Sequence, residues 1–300
     1  DYVVSEDLPQ VYLLSGHGEQ PLSDNFRSQL TRSNYELTED FSLLNVDSIP
    51  EECDTLLINA PTGDISEEEL SILRDYLQSG GKLMVFSGPQ KETELTNLKT
   101  LLQDYGVTAA EGVVVDNDRE HYAFSAPYVL MPDIASSEIT DPLAEGAYHV
   151  IVPIAQGLTV SGSQATALLT TSAESFAKKA GYAMTTYEKE DDDSDGPYTL
   201  AVSVQNEADG KMVWVASDYL LEDTYDSYSS GANMDLVMNS LSWMIGKNDA
   251  VSIRSKSLNN TYLTISSGAA AWLKVCLIGI IPLGVLLLGI DEVLRRRKTT

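Results

Sequence analysis

Cysteine is almost absent: Cys53 and Cys276 are the only two among 300 residues. Cys53 precedes one apolar run and Cys276 lies inside another near the C-terminus. The two are not expected to meet, which excludes a disulfide framework. Basic residues are scarce as well, 19 Lys and Arg against 45 Asp and Glu. Residues 269–300 hold five of the basic and two of the acidic ones, leaving 14 against 43 in the rest, a net charge of −29. Such a surface repels nucleic acid and anionic headgroups and steers toward cations or basic partners, so nucleic-acid binding is set aside. The sequence has no initiator Met, no signal peptide and no internal repeat. Asp1-Tyr2-Val3-Val4 reads as the tail of an earlier element, and the expectation is a fragment of a longer chain. Long charge-free apolar runs are missing everywhere except in one place.

That place is 269–290, where Lys274 is the single charge. A helix over these positions would reach about 33 Å at about 1.5 Å per residue, enough to cross a bilayer core. Arg295, Arg296, Arg297 and Lys298 follow at once, and a basic cluster of this kind stays on the cytoplasmic side. Trp272 and Lys274 suit the opposite interface. The expected organisation is an extracytoplasmic domain over 1–257, a tether over 258–268, a transmembrane helix over 269–290 and a cytoplasmic basic tail over 291–300. A large domain of this kind without disulfides suits a bacterial cell membrane.

Within 1–257, strand and helix signals alternate. Gln10–Leu14 is a short apolar run ending in Ser15-Gly16-His17-Gly18-Glu19. A helix is expected over 21–32, a strand over 35–44, and a continuous apolar strand over 54–60 of the kind buried on both faces. Ser66 to Glu69 form a capping box, Leu70, Leu73, Tyr76 and Leu77 the buried stripe, and Gly80-Gly81 the stop. A strand over 82–87, a helix over 93–105 and a strand over 113–115 follow. Residues 116–165 read as irregular, with strands expected over 148–154 and 165–171. A hairpin over 198–217, an amphipathic helix over 232–245 and a short strand over 250–256 complete the domain. The alternation predicts an α/β fold with a mostly parallel, helix-covered sheet.

Three motifs carry chemistry. His17 and Glu19 follow the first strand, at the edge where open α/β sheets bind ligands. The pair suits acid–base work, a metal pair, or simply a glycine turn with two polar side chains. Ser87 ends the strand 83–86, yet Phe86-Ser87-Gly88-Pro89 lacks the flanking glycines of a nucleophile elbow, and nothing in the sequence places His121 or His149 beside it. Asp191, Asp193 and Asp195 before Gly196 imitate the start of a calcium loop, but Val202 stands where a bidentate Glu is needed. No motif calls for a cofactor.

Taken in order, several stretches are similar to the gliding-motility-type (GldG-like) ABC transporter auxiliary family: Tyr2-Val3, Leu8-Pro9, Val11 through Glu19, Gly80 through Leu83, and Val215 through Leu220. Asn233, Asn239 and Trp243 in the last helix, Ile253 through Lys256, the apolar segment and the basic tail complete the pattern. The resemblance implies a flavodoxin/amidotransferase-like domain and partner permease and ATPase subunits of the ABC-2 export class. It counsels against an enzyme, because an amidotransferase needs a nucleophilic cysteine at the strand end where Ser87 stands. The expectation is a non-catalytic binding or assembly subunit, with His17, Glu19 and Ser87 as candidate ligand or partner contacts. The alternatives are a surface hydrolase or amidotransferase-like enzyme using Ser87 with His17 and Glu19, and a cation- or peptide-binding sensor.

Overall fold

The computed structural model describes residues 8–246 and, near the C-terminus, 272–284, 286–287 and 289. The chain divides into two units, residues 1–257 and 258–300.

The first unit opens with β1 (Gln10–Leu14), α1 (Asp24–Arg32), β2 (Glu36–Phe41), β3 (Thr55–Asn59), α2 (Glu67–Gln78), β4 (Lys82–Phe86) and α3 (Thr96–Gln103). Short pieces follow: β5 (Val107–Ala109), β6 (Val113–Asp116), β7 (Val129–Leu130), β8 (Asp133–Ile134), α4 (Asp141–Glu145), β9 (Val152–Pro153) and β10 (Leu158–Val160). The unit ends with β11 (Ala165–Thr170), β12 (Ser175–Lys178), β13 (Ser194–Asp195), β14 (Thr199–Gln205), β15 (Lys211–Val215), α5 (Asp223–Tyr228) and α6 (Ala232–Ile245). The main sheet runs β2-β1-β3-β4-β15-β14-β10-β5, with β11 on β14 and β8 on β11.

The sheet is mixed rather than mostly parallel. β2, β1, β3, β4 and β15 are parallel neighbours. From β15 onward every pairing is antiparallel. The cause is the β14–β15 hairpin: its second arm docks parallel on β4, and its first arm must then run the other way. The expected strand over 148–154 shrinks to β9, and 116–165 is a series of two- to four-residue strands around α4. The strand expected over 250–256 lies outside the described residues.

Strand residues alternate between two apolar layers. Met84 and Phe86 of β4 pack with Phe26 and Leu30 of α1 and with Leu236, Val237 and Leu241 of α6. Leu83 and Val85 pack on the other face with Leu73 and Leu77 of α2 and Leu98, Leu101 and Leu102 of α3. Local chemistry starts and stops these helices. Ser66 accepts from the Glu69 N–H while the Glu69 carboxylate accepts from the Ser66 N–H. Gly246 closes α6 in the left-handed region at φ 71°. The start of α3 is different, because Leu95 offers no cap. Asp64, more than thirty residues upstream, accepts from the N–H groups of Asn97 and Leu98 at 2.7 and 3.0 Å and fills the role from a neighbouring loop.

The described part of the second unit is helical over 272–284, with Val275–Ile280 in the wider π form. Its apolar side chains, among them Leu277, Ile278, Ile280, Ile281 and Leu283, are exposed. The expected span 269–290 lies partly outside the described residues, and among those described no helix is long and apolar enough to cross a membrane.

Candidate functional site

Parallel strands deliver their C-terminal turns to one edge of the sheet. The turns after β1, β3, β4 and β15 gather there and are tied together by backbone bonds. Thr62 and Gly63, beyond β3, donate to the His17 carbonyl at 3.0 and 2.7 Å. Ala60 donates to the Phe86 carbonyl at 2.8 Å and Ser87 to the Val215 carbonyl at 3.0 Å. Gly18 holds φ 72°, and a Cβ there would run into the Thr62 hydroxyl, so the turn after β1 needs glycine at this position.

His17 stands between two carboxylates. Its Nδ1 lies 3.1 Å from Glu19 and its Nε2 3.1 Å from Glu69. The His17 N–H also donates to Glu19 Oε2 at 2.8 Å. All three side chains are nearly buried, at 7, 5 and 4% exposure. A carboxylate at each ring nitrogen favours the protonated ring, which can donate from both. The hydrogen bond to Glu19 lifts the His17 pKa above its ordinary value; burial opposes this and Glu69 adds to it. Burial pushes the Glu19 carboxyl upward, but hydrogen bonds from His17 and the backbone outweigh it and hold the group below its ordinary value. Sequence reasoning assigned Glu69 only its helix-capping role; the structure gives the same carboxylate to His17.

The sign of the pH dependence follows. A raised His17 contributes stability fully below its unfolded value of 6.5, and loses it as pH rises through the folded value. A lowered Glu19 contributes above 4.5 and loses it as pH falls through its folded value. Thermal unfolding should therefore show highest stability from this cluster between pH 4.5 and 6.5. His17→Ala should flatten the alkaline limb, worth about 2–4 °C in Tm for each 1 kcal/mol in a domain of this size. An unchanged limb in the variant would place its origin elsewhere.

Ser87 does not join this cluster. It is 1% exposed, and its Oγ is buried with no hydrogen-bond partner among the described residues. Gly88 donates to Asp218 Oδ1 at 2.7 Å, and a Cβ on Gly88 would meet the backbone of Ser217 and Asp218 at 3.1 Å. The turn is thus packed shut, whereas a nucleophile elbow holds its hydroxyl out. Both His17 nitrogens are occupied. His121 pairs with Asp118 at 2.9 Å and Asp133 at 3.4 Å, and His149 is exposed. Cys53 lies buried before β3, its thiol pushed up to about 11 by burial, which leaves little thiolate at neutral pH. Asp218 falls in the Val215–Leu220 stretch of the family resemblance, where it received no role of its own; burial raises its pKa to about 6.

Beside the end of β4 a cavity of about 840 Å³ is lined by Lys91, Lys99, Lys179, Glu92, Glu94 and Tyr182, among others. The Lys91 ammonium sits 4.8 Å over the Tyr182 ring. A second cavity of about 370 Å³ lies between Arg74, Asp104 and Asn206. Neither is lined by His17, Glu19 or Ser87.

Within the acidic stretch 191–195, Asp193 is held by a buried lysine. Lys178 of β12 is fully buried, with Nζ 2.6 Å from Glu190, 2.9 Å from Asp193 and 2.9 Å from the Glu188 carbonyl. Asp193 is 2% exposed and also accepts from the N–H groups of Lys179 and Glu190. Its carboxylate is committed to an internal cation. Among the described residues no group of three or more His, Cys, Asp or Glu side chains is arranged to hold a metal ion.

Comparison with known proteins agrees with the resemblance read from the sequence. The family described as an ABC-type uncharacterized transport system matches residues 8–240. No curated protein matches the chain. Among solved structures, the chain is similar to one titled "mmIFT52 N-terminal domain", with TM-score 0.57 and 20% identity over 78% of this chain and 97% of that one. It is more distantly similar to a glutamine amidotransferase from Thermotoga maritima, with TM-score 0.45 and 10% identity over 80% of this chain and 99% of that one. A ThuA-like protein from Bacteroides uniformis gives TM-score 0.42 and 13% identity over 83% and 96%. At 20% identity the likeness to the mmIFT52 domain is one of fold.

Proposed function

Since the chain belongs to the family of ABC-type uncharacterized transport system proteins, we propose that it is a non-catalytic auxiliary subunit that binds and helps assemble an ABC-2-type exporter. Its globular unit stands outside the membrane and the apolar segment 269–290 anchors it, with the basic tail on the cytoplasmic side. The observation that carries this reading is the family match over 8–240. Two further features support it: the exposed apolar helix at 272–284, and a sheet edge whose titratable groups are engaged with one another. His17 serves two carboxylates and Ser87 is covered. A hydrolase built on Ser87 with His17 and Glu19 lacks the hydrogen bond that activates a serine.

Purification in mild detergent from native membranes should recover a multispan permease and an ATPase with the protein. Protease treatment of intact cells should remove the globular unit and spare the tail. Recovery of the chain alone, under conditions that keep other transporters intact, would overturn the assembly role. Cleavage of the tail from outside would overturn the topology.

A further inference from the structure

Aromatic side chains gather on one surface of the globular unit. Phe124, 55% exposed, meets Tyr228 with ring centroids 4.5 Å apart at 51°, and Tyr228 meets Tyr225 at 6.3 Å and 75°. Tyr225 and Tyr128 pack on one small apolar cluster, Ala123, Val129 and Ile151. Tyr128 in turn meets Tyr187, 45% exposed, at 5.5 Å. The rings meet at angles rather than in stacks, which forms corners. The backbone is bent to present them: Phe124 and Ser125 both sit in the left-handed region, at φ 54° and 58°, which side-chain-bearing residues adopt when their surroundings impose it. Neither gains burial from the arrangement, since both are exposed.

Exposed carboxylates stand close in sequence to the strip's rings: Glu120, Glu188, Glu222 and Asp223. Exposed aromatic faces on an acidic chain attract cations twice, through the ring quadrupole and through the net charge. The chain already shows the contact beside the strip, where the Arg119 guanidinium lies 4.7 Å over the Tyr122 ring and donates to the Tyr122 carbonyl at 2.9 Å. Charge decides between occupants. A second copy of a chain with net charge −26, or an anionic lipid surface, meets like charge. We propose that the strip Phe124–Tyr228–Tyr225, continued by Tyr128 and Tyr187, is a docking surface for a lysine- or arginine-bearing polypeptide segment. Only the source of that segment, an extracytoplasmic part of the transporter, rests on the proposed function.

The test is fluorescence anisotropy of a labelled peptide of alternating Arg and Leu, titrated with the full chain in detergent micelles at about 0.15 M salt, where exposed charges are screened beyond about 8 Å. A peptide with citrulline for Arg is the neutral control. The expected result is binding of the Arg peptide, little binding of the control, and a loss of about tenfold or more in Phe124→Ala and in Tyr228→Ala. Tyr228→Phe, which keeps the ring, should stay within about twofold, and unchanged circular dichroism should accompany all variants. Three results would each overturn the proposal: no binding of the Arg peptide, equal binding of the citrulline peptide, or unaltered affinity in both alanine variants. Copurification of the wild-type chain is read separately. Its failure removes the exporter role and leaves the peptide result standing.

Discussion

Lys178→Met should cost the globular unit about 3–5 kcal/mol in chemical denaturation, the range for removing one partner of a buried ion pair. The ammonium has no exposure, and Asp193 has 2%. Without the lysine the Asp193 carboxylate stays buried on two backbone N–H groups with no opposite charge. A methionine fills the volume of the stem, so the loss reports the charge and not a cavity. The double variant Lys178→Met/Asp193→Leu should recover most of the loss, because two apolar groups replace the pair together. The pH response gives an independent reading. Burial works to raise the Asp193 pKa, but backbone hydrogen bonds and Lys178 outweigh it and hold the group below 3.8. Its stabilisation is therefore present above 3.8 and lost as pH falls through the folded value. The single variant should lose part of that acid dependence. A loss below about 1 kcal/mol would mean that the 179–195 segment lifts away and carries Asp193 into water.

Asn233→Ala should be nearly as costly, at about 3–5 kcal/mol. Asn233 opens α6 with no exposure and makes three bonds to backbone far from it in sequence. Its Oδ1 accepts from Ile151 N–H at 2.9 Å, and its Nδ2 donates to the carbonyls of Ile151 and Leu220 at 2.8 and 3.2 Å. Alanine leaves one donor and two acceptors buried and unpaired, each worth about 1–3 kcal/mol, with some relief from entering water. Asn233→Asp should be no better: it keeps the acceptor but sets a carboxylate against two carbonyls. Denaturant unfolding measures the total, and faster hydrogen exchange at the Ile151 amide would locate it. A loss below about 1 kcal/mol with unchanged exchange at Ile151 would show that the three bonds are dispensable.

Much of the fold was legible because its signals are short-ranged. The capping box from Ser66 to Glu69, the glycine stop of α6 and the period-3.6 stripe of α2 each lie within one or a few turns of chain. Strands β3 and β4 announced themselves as apolar runs, since both faces of the parallel part are covered. The hairpin of β14 and β15 was also readable. That its second arm would lie against β4 was not, because Met212 and Leu83, paired in register, are far apart in the chain, and no local pattern marks such a partner. The antiparallel half of the sheet begins at that hairpin.

The candidate residues divide in the same way. The sequence by itself determined that a glycine-flanked His17 and Glu19 follow the first strand, that the domain is acidic and free of disulfides, and that one apolar segment carries a basic tail. Only the tertiary structure decided what His17 touches. Glu69, whose capping role is local, turns its carboxylate to a ring 52 residues away in sequence. Asp64 caps α3 from another loop, Lys178 takes Asp193 of the acidic stretch that resembled a calcium loop, and rings from 124 to 228 meet on one surface. The physical reason is common to all of them. Periodicity and capping act between residues a few positions apart and leave a pattern in the sequence. The pairing of buried charges and the gathering of rings depend on chain closure, whose entropy cost grows only slowly with loop length and so favours no particular distant partner until the sheet has formed.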